Sequence, residues 1–566
     1  MTTASISLVP PGAWLALGAL LLPLVPRRFR PALLLGLPLV TLWLVWTLPN
    51  GASPTLAVFD YQLVPVKSDA LGRLFAIIFA LMAIAGGLFA MRQKSTVELV
   101  AAAIYAGSAI CVALAGDLIM LFVFWEIMAL ASTTVLISSG GERAVQAGMR
   151  YFFVHIFGGS LLVAGIVVNL VDTGSLAIEG LDAGTLGGGL ILAGVLLNAA
   201  APPLSAWLAD AYPEASYSGM VTLSAFTTKA AVYVLIRAFP GTEILIVVGL
   251  FMIFYGIIYA LLENDMRRIL AYSIVNQVGF MVTGVGIGTE MALNGAAAHA
   301  FTHIIYKALL LMSAGSVLYQ TGKRKCTDLG GLFQSMPITM VCGVIGALSI
   351  SSFPLTSGFV SKSMIGQAAV DEHLTMIWFL LMAASAGVFL HAGIKFPWFV
   401  FFQKDSGLRP PDPPWHMQAA MILFASLCIG LGIWPAPLYA LLPNPVEYVP
   451  YTVPHVVNML QLLLFSGLAF FLMLPLMKRS LTITLDVDWF YRKLGPRVTE
   501  RTADCVAAMF HRWEAVGRRQ IDGAFDFLTR HAGPHSVAAR TPDSSYMVLL
   551  VVVLLGVFLF LRFFVW

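Results

Sequence analysis

Charge is what this chain has least of. Asp, Glu, Lys and Arg make up only 11% of its 566 residues, against roughly 25% in a soluble domain, so the chain as a whole cannot cover itself for water. Clustered cysteine is also missing. The five cysteines (Cys111, Cys326, Cys342, Cys428 and Cys505) share no short spacing, and the three inside apolar runs read as small core hydrophobes rather than as metal or disulfide sites. No haem motif and no nucleotide-binding loop is present, so no cofactor is expected and any redox or other catalytic chemistry would belong to partner subunits. Basic residues form no stripe interleaved with aromatics, which excludes nucleic acid as a partner. No positive charge precedes the first apolar run, residues 14–25, and Arg27, Arg28 and Arg30 follow it. That order is the reverse of a signal peptide and fits a first span whose N-terminus lies outside.

What is present is apolar sequence, 59% of the chain. Runs of about 20 residues, the length that crosses a bilayer at 1.5 Å per residue, recur from end to end and give about sixteen candidate spans. They lie near 8–25, 31–49, 70–91, 96–115, 118–137, 147–171, 186–209, 216–239, 243–262, 268–288, 292–319, 337–369, 374–402, 415–441, 455–477 and 546–565. The expected fold class is an all-α polytopic membrane protein. Loops after odd-numbered spans carry Arg27, Arg28, Arg30, Arg92, Lys94, Arg143, Arg267, Arg268, Lys323, Arg324, Lys325, Lys404, Arg409, Lys478 and Arg479. Loops after even-numbered spans carry acids such as Asp60, Asp69, Asp117, Asp172, Glu179, Asp182 and Glu290, with Lys67 the basic exception. The basic side is read as cytoplasmic, which puts both termini outside. Residues 488–531 are different. Val506, Met509, Phe510, Trp513, Val516, Ile521, Phe525 and Leu528 recur at helical spacing among arginines, as in an amphipathic helix lying on the cytoplasmic surface and tethered by the last span.

An ionised side chain at mid-membrane costs at least about 2.5–3.5 kcal/mol on insertion scales, so each one inside a span needs a reason. Glu126 sits in LIMLFVFWEIMALAST and Lys229 in LSAFTTKAAVYVLIR. His299, His303 and Lys307 follow at i, i+4 and i+8 on one helical face, Lys362 ends FPLTSGFVSK, and His391 and Lys395 form another i, i+4 pair. Histidine can take a proton on one ring nitrogen and release one from the other. A buried lysine is toggled by desolvation and by moving a neighbouring carboxylate. Such a row suits a proton relay. Two spans also carry breaks, at Ala201-Pro202-Pro203 and at Phe353-Pro354-Leu355-Thr356-Ser357-Gly358. Freed backbone groups are tolerated at depth only where protein or a wet cavity receives them, and paired discontinuous helices mark internal repeats in transporters.

LFVFWEIMALAS, PPLSAWLADAYPEAS, DMRRILAYSIVNQVG, HAFTHIIYKALLLMSAGS and FPLTSGFVSK together resemble the antiporter-like family. That family is shared by Mrp-type multisubunit cation/proton antiporters and by the large membrane subunits of respiratory complex I and membrane-bound hydrogenases. The resemblance covers residues 60–440. It implies two inverted five-helix repeats (spans 4–8 and 9–13), each with a broken helix, and a C-terminal lateral helix. The organisation it suggests is N-terminal helices 1–95, a first half 96–239, a second half 240–402, further spans 403–480, a lateral helix 481–545 and a tether 546–566. It assigns the proton path to Glu126, Lys229, His299, His303, Lys307 and Lys362, and Lys229 in TTKAAVY resembles the lysine of an Mrp D-type subunit. One position departs. Asn198 stands where the broken seventh helix should present a lysine, so either Glu126 pairs with Lys229, or Arg150 or His155 reaches it, or the first half-channel is silent.

The resemblance implies a subunit of a sodium or potassium/proton antiporter in a bacterial or archaeal-type inner membrane. Its partners would be other membrane subunits, protons, monovalent cations and the bilayer. The alternatives are a proton-pumping subunit of a redox complex, and a proton-driven partner or scaffold of an uptake complex.

Overall fold

The structure, a computed structural model, describes residues 7–475, 486–487, 489–534, 536, 539 and 543–564. Lys478 and Arg479 therefore lie outside the described residues. The chain divides into two compact units, Met1–Asp488 and Trp489–Trp566.

The first unit is helical. Its elements are α1 (Pro11–Ala19), α2 (Arg30–Trp46), α3 (Ala70–Phe89), α4 (Thr96–Ala113), α5 (Leu118–Ile137), α6 (Glu142–Thr173), α7 (Leu186–Asn198), α8 (Ala206–Ala211), α9 (Gly219–Leu223) and α10 (Thr227–Ala238). After these come α11 (Ile244–Leu262), α12 (Met266–Ile287), α13 (Glu290–Thr321), α14 (Pro337–Ile350), α15 (Ser357–Asp371), α16 (Thr375–Val388), α17 (Trp415–Ile433), α18 (Ala436–Tyr439) and α19 (Val453–Met473). Local chemistry sets many of the boundaries. Asp69, Ser95, Asp117, Thr185 and Thr289 each accept the amide three residues on and so start a helix. Gly174, Gly288 and Gly322 end α6, α12 and α13 in the left-handed conformation that glycine adopts without strain.

Twelve helices among the described residues are long and apolar enough to cross a membrane, fewer than the sixteen spans expected. The other four stretches differ for physical reasons. The run at 8–25 is helical only over the nine residues of α1, and α2 is 17 residues long with Pro38 inside it. The seventh and twelfth are each interrupted, as α7 with α8 and α14 with α15. The fold also departs from all-α in two small antiparallel ribbons, Gly51–Ala52 with Lys67–Ser68 and Leu56–Val58 with Tyr61–Leu63.

The core sits on α12 and α13. The most apolar stretch of α12 is buried throughout, and nearly all of that of α13. α13 packs against α3, α10, α12, α14, α15 and α17. α11 approaches α12 closely enough that a Cβ on Gly279 would lie 2.6 Å from the Gly249 carbonyl oxygen, the small-residue contact that lets membrane helices pack without bulk between them.

Lys67, the exception in the acidic loops, is neutralised there: it pairs with Glu179 at 2.6 Å. Arg237 reaches the same carboxylate at 2.8 Å and Asp69 at 2.5 Å. Burial alone would push the Glu179 carboxyl up, but the Lys67 hydrogen bond and the Arg237 charge outweigh it and hold it below the usual range.

The second unit holds a π-helical turn (Phe490–Leu494), α20 (Gly495–Ala532) and α21 (Ser544–Phe564). α20 runs unbroken for 38 residues, and its apolar side chains, Trp513 and Phe525 among them, are exposed. The expected lateral segment 481–545 is therefore helical over most of its length; residues 481–485 of it are not among those described.

Candidate functional site

Proline creates the two breaks, and beside each a side chain donates to a backbone carbonyl, but a different side chain; the Leu197 carbonyl at the first also takes the Ala200 amide at 3.1 Å. At the first, Ala200 has φ +62° and the Leu197 carbonyl accepts from the Trp207 indole at 3.0 Å. At the second, Ser352 and Leu355 have φ +58° and +68°, and the Ile350 carbonyl accepts from Lys362 Nζ at 3.0 Å. Lys362 also lies 4.8 Å from the centroid of the Phe280 ring. Beside it opens a cavity of about 240 Å³, lined among others by Ser363, Gln367, Tyr448 and His455. At roughly 30 Å³ per water this holds several.

The helical face expected on α13 is present and buried. Lys307 Nζ donates to Ser273 Oγ at 2.9 Å and approaches the Leu270 carbonyl at 3.4 Å. His303 makes no hydrogen bond at either ring nitrogen among the described residues; it lies edge-on to Tyr306, 5.2 Å between centroids, and 6.1 Å from the His299 ring. His299 is held on both sides, and the network assigns its proton. Asn276 Nδ2 donates to the Ile253 carbonyl at 2.9 Å, so its Oδ1 accepts from Gln277 Nε2 at 2.5 Å. Gln277 Oε1 then faces α13, where Tyr306 OH donates to it at 3.1 Å and His299 Nε2 lies 3.1 Å away. An amide oxygen only accepts, so this contact suits a proton on Nε2, which also lies 3.3 Å from Tyr306 OH. Nδ1 lies 3.3 Å from Ser361 Oγ, itself 3.1 Å from the Ser357 carbonyl. Ser361 also contacts Thr302 Oγ1 at 2.7 Å and precedes Lys362 in α15. Gln277→Leu tests the Nε2 assignment. His299 should then populate both tautomers, visible as two sets of ¹⁵N resonances where the wild type has one. Stability should fall by about 1–3 kcal/mol as buried partners are left unpaired. A single unchanged set in Gln277→Leu would refute the assignment.

Glu126 and Lys229 are apart from one another. Glu126 Oε1 is buried without a hydrogen-bond partner among the described residues. It lies against Gly159 of α6, where a Cβ would come within 2.0 Å of it. Lys229 Nζ donates to the Ser224 carbonyl at 2.7 Å and to Thr228 Oγ1 at 3.1 Å. Arg150 is committed elsewhere, in a two-pronged pair with Asp210 at 2.7 and 2.9 Å. His155 bonds the Tyr151 carbonyl through Nδ1 at 2.9 Å, leaving Nε2 buried and unpaired among the described residues. Asn198 is buried near Gly158 of α6, its amide 3.4 Å from the Gly194 carbonyl. So none of the three alternatives for Glu126 is hydrogen-bonded to it.

The auxiliary pair on the thirteenth span sits on a π-helical stretch, Phe389–Lys395, a local widening frequent at functional sites. His391 bonds the Gly387 carbonyl through Nδ1, at 2.8 Å. Lys395 caps α11, donating to the carbonyls of Ala260, Leu261 and Glu263 at 3.1, 2.5 and 2.7 Å, which gives that lysine a structural task. Gln277, Ser361, Tyr306 and Ser273 are neutral members that sequence reading missed. Their one signal was position: Ser273 and Gln277 are one turn apart on α12, and Ser361 adjoins Lys362. No group of three or more His, Cys, Asp or Glu that could hold a metal occurs among the described residues.

Residues 115–389 match the family described as NADH:quinone oxidoreductase/Mrp antiporter, TM. The N subunit of the NADH-quinone oxidoreductase of Desulforudis audaxviator is 30% identical over 371 residues, which cover 60% of this chain and 74% of that protein. The D-type Na(+)/H(+) antiporter protein of Alkalihalophilus pseudofirmus is 33% identical over 285 residues, 46% of this chain and 57% of that one. A chain in the structure of the Mrp complex from Dietzia sp. DQ12-45-1b superposes with a TM-score of 0.73 at 23% identity, over 97% of this chain and 62% of that one, a likeness of fold. The match thus spans little more than half the length of the Alkalihalophilus antiporter protein.

Proposed function

The chain belongs to the NADH:quinone oxidoreductase/Mrp antiporter family, and on that premise we propose that it is an ion-translocating subunit of a multisubunit Mrp-type antiporter. It exchanges Na⁺ or K⁺ for protons across a prokaryotic inner membrane, with both termini outside. One observation carries the reading. Lys229, Lys307 and Lys362 are buried within spans, and among the described residues their hydrogen bonds go only to hydroxyl and carbonyl oxygens. Buried cations without a carboxylate are a liability to stability, and in a membrane they mark ion pathways.

The path runs from Glu126 and Lys229 through Lys307, His303 and His299 to Lys362 and the cavity beside it. Two inverted repeats, with halves at 96–239 and 240–402, underlie it. α6 and α13 support that reading: each has 32 residues and ends on a left-handed glycine. His155 and His303 fall at the same place counted from Glu142 and Glu290. The halves are unequal in chemistry, since a neutral indole caps the first break and a lysine the second. Asn198 accordingly leaves the first half with weak coupling between Glu126 and the rest.

Everted vesicles containing the whole complex test this, with cation-driven pH change as the readout. Glu126→Gln is expected to slow transport severalfold, and Asn198→Lys to shift its pH profile. Wild-type rates in assembled Glu126→Gln would remove Glu126 from the path, and an unmoved profile in Asn198→Lys would mean the first half-channel is not used. A second reading, the proton-pumping arm of a redox complex, is favoured by the greater share of the Desulforudis oxidoreductase protein that the chain covers. Copurifying iron–sulfur subunits would decide for it.

A further inference from the structure

Two loops, residues 27–30 and 91–94, bring Arg27, Arg28, Arg30, Arg92 and Lys94 to one basin of about 420 Å³. Among the described residues, no carboxylate lines it. Three other cations expected on the same side find acids: Arg324 pairs with Glu214 and Asp265, Arg268 with Glu263 and Arg409 with Asp405. The five in the basin form no ion pair among the described residues; Arg30 is pinned to the Val25 carbonyl at 3.1 Å and to Thr96 Oγ1 at 2.7 Å, and Arg28 lies over the Phe29 ring at 4.7 Å. Trp415, largely exposed, stands at the rim.

Thr96 belongs at once to a second feature. An apolar groove, also of about 420 Å³, runs between α4 and α5 along Pro23, Val97, Val100, Ile104, Ile127 and Leu130. The Arg30–Thr96 hydrogen bond joins basin to groove. Positive loops on this side are required by topology alone. Topology does not require the charges to converge, to stay unpaired, or to meet an apolar groove. A ligand that fits both parts carries a compact anion at one end and a hydrocarbon chain at the other, and basic pockets at the cytoplasmic face suit anionic lipid headgroups.

We propose that basin and groove form one binding site for an anionic phospholipid of the cytoplasmic leaflet, with its phosphate among the arginines and an acyl chain along α4 and α5. The site is separate from the buried relay and does not depend on what the relay carries.

The test uses the assembled complex in nanodiscs of phosphatidylcholine doped with phosphatidylglycerol, with retained lipid identified by mass spectrometry. Wild type should hold phosphatidylglycerol at severalfold enrichment over the bulk bilayer. The exposed-site variant Arg27→Gln/Arg28→Gln/Arg92→Gln should fall to the bulk ratio. Val100→Trp, which fills the groove, should lose the lipid yet still bind glycerol 3-phosphate. Should the triple variant fail to assemble, Arg92→Gln/Lys94→Gln is expected to halve the enrichment or more. Enrichment unchanged in the basic-residue variants would overturn the proposal. So would a wild type that binds inorganic phosphate as well as it binds lipid and is indifferent to Val100→Trp, since that describes a free-anion site. Cross-linking of position 92 to an acidic segment of another protein of the complex, with no lipid retained, would overturn it as well.

Discussion

Lys362→Ala is expected to cut cation-driven proton movement by about 10²-fold or more while the protein still assembles, the scale of loss when a positioned proton donor is removed. Lys362 Nζ sits where a carbonyl freed by the second break, a ring face and a cavity large enough for several waters meet. Its neighbour Ser361 contacts His299. Among the described residues it is the one lysine lining that cavity, so on the proposed path no second lysine there can replace it as a proton carrier. Capping and carrying are separable. Arginine can still donate to the Ile350 carbonyl, but its guanidinium stays protonated in proteins. Lys362→Arg should therefore assemble as well as wild type and transport no better than Lys362→Ala. Quenching of a pH-sensitive dye in everted vesicles reads both. Transport at near wild-type rate in either assembled variant would mean that protons leave by another route.

Gly358→Ala is expected to cost the assembled protein itself. A Cβ there would fall 1.8 Å from the Ser349 carbonyl oxygen, a backbone atom that no rotamer change can move. The two half-helices cross at this point: Ser349 Oγ contacts Ser357 Oγ at 2.9 Å and accepts from the Gly358 amide at 3.3 Å. Forced apart, they lose about 1–3 kcal/mol or more, and the Ile350 carbonyl moves away from Lys362. The control is on the same helix. Gly366 has open space where its Cβ would be, and Gly366→Ala should match or slightly exceed wild type, since alanine is favoured over glycine in a helix by about 1 kcal/mol. Detergent-extracted yield and thermal midpoint measure both. Equal midpoints for the two variants would show that the crossing tolerates a methyl group.

The ionisable residues were legible in the sequence because a bilayer makes each one conspicuous. Their partners were not. Gln277, Ser361 and Tyr306 are neutral, ordinary within helices, and gain meaning only from cross-helix distances. Arg150 illustrates the same limit: the helix position suggested a reach toward Glu126, whereas Asp210, 60 residues on, holds it in two hydrogen bonds. Lys395 looked like a relay member by its i, i+4 spacing from His391, yet its three carbonyl partners belong to the end of α11 and the residue just past it. Both proline breaks were legible, since proline acts on its own backbone. The sixteen apolar stretches exceed the twelve long helices because hydropathy counts apolar residues whether or not they continue as one helix, as at α1.

The interrupted helices also bear on how the chain enters its bilayer during synthesis. α7 has 13 residues and α14 has 14, about 20 Å each at 1.5 Å per residue, against a hydrocarbon core of about 30 Å. Neither can be released into lipid alone, because the residues that follow would leave bare amides and carbonyls in oil. Helices such as α3, α5 and α11 can leave the translocon singly. α7 and α14 must wait at its lateral gate for α8 and α15, with α6 and α13 already alongside to close the gap. Integration of this protein is thus expected to include two grouped releases, one at each proline break.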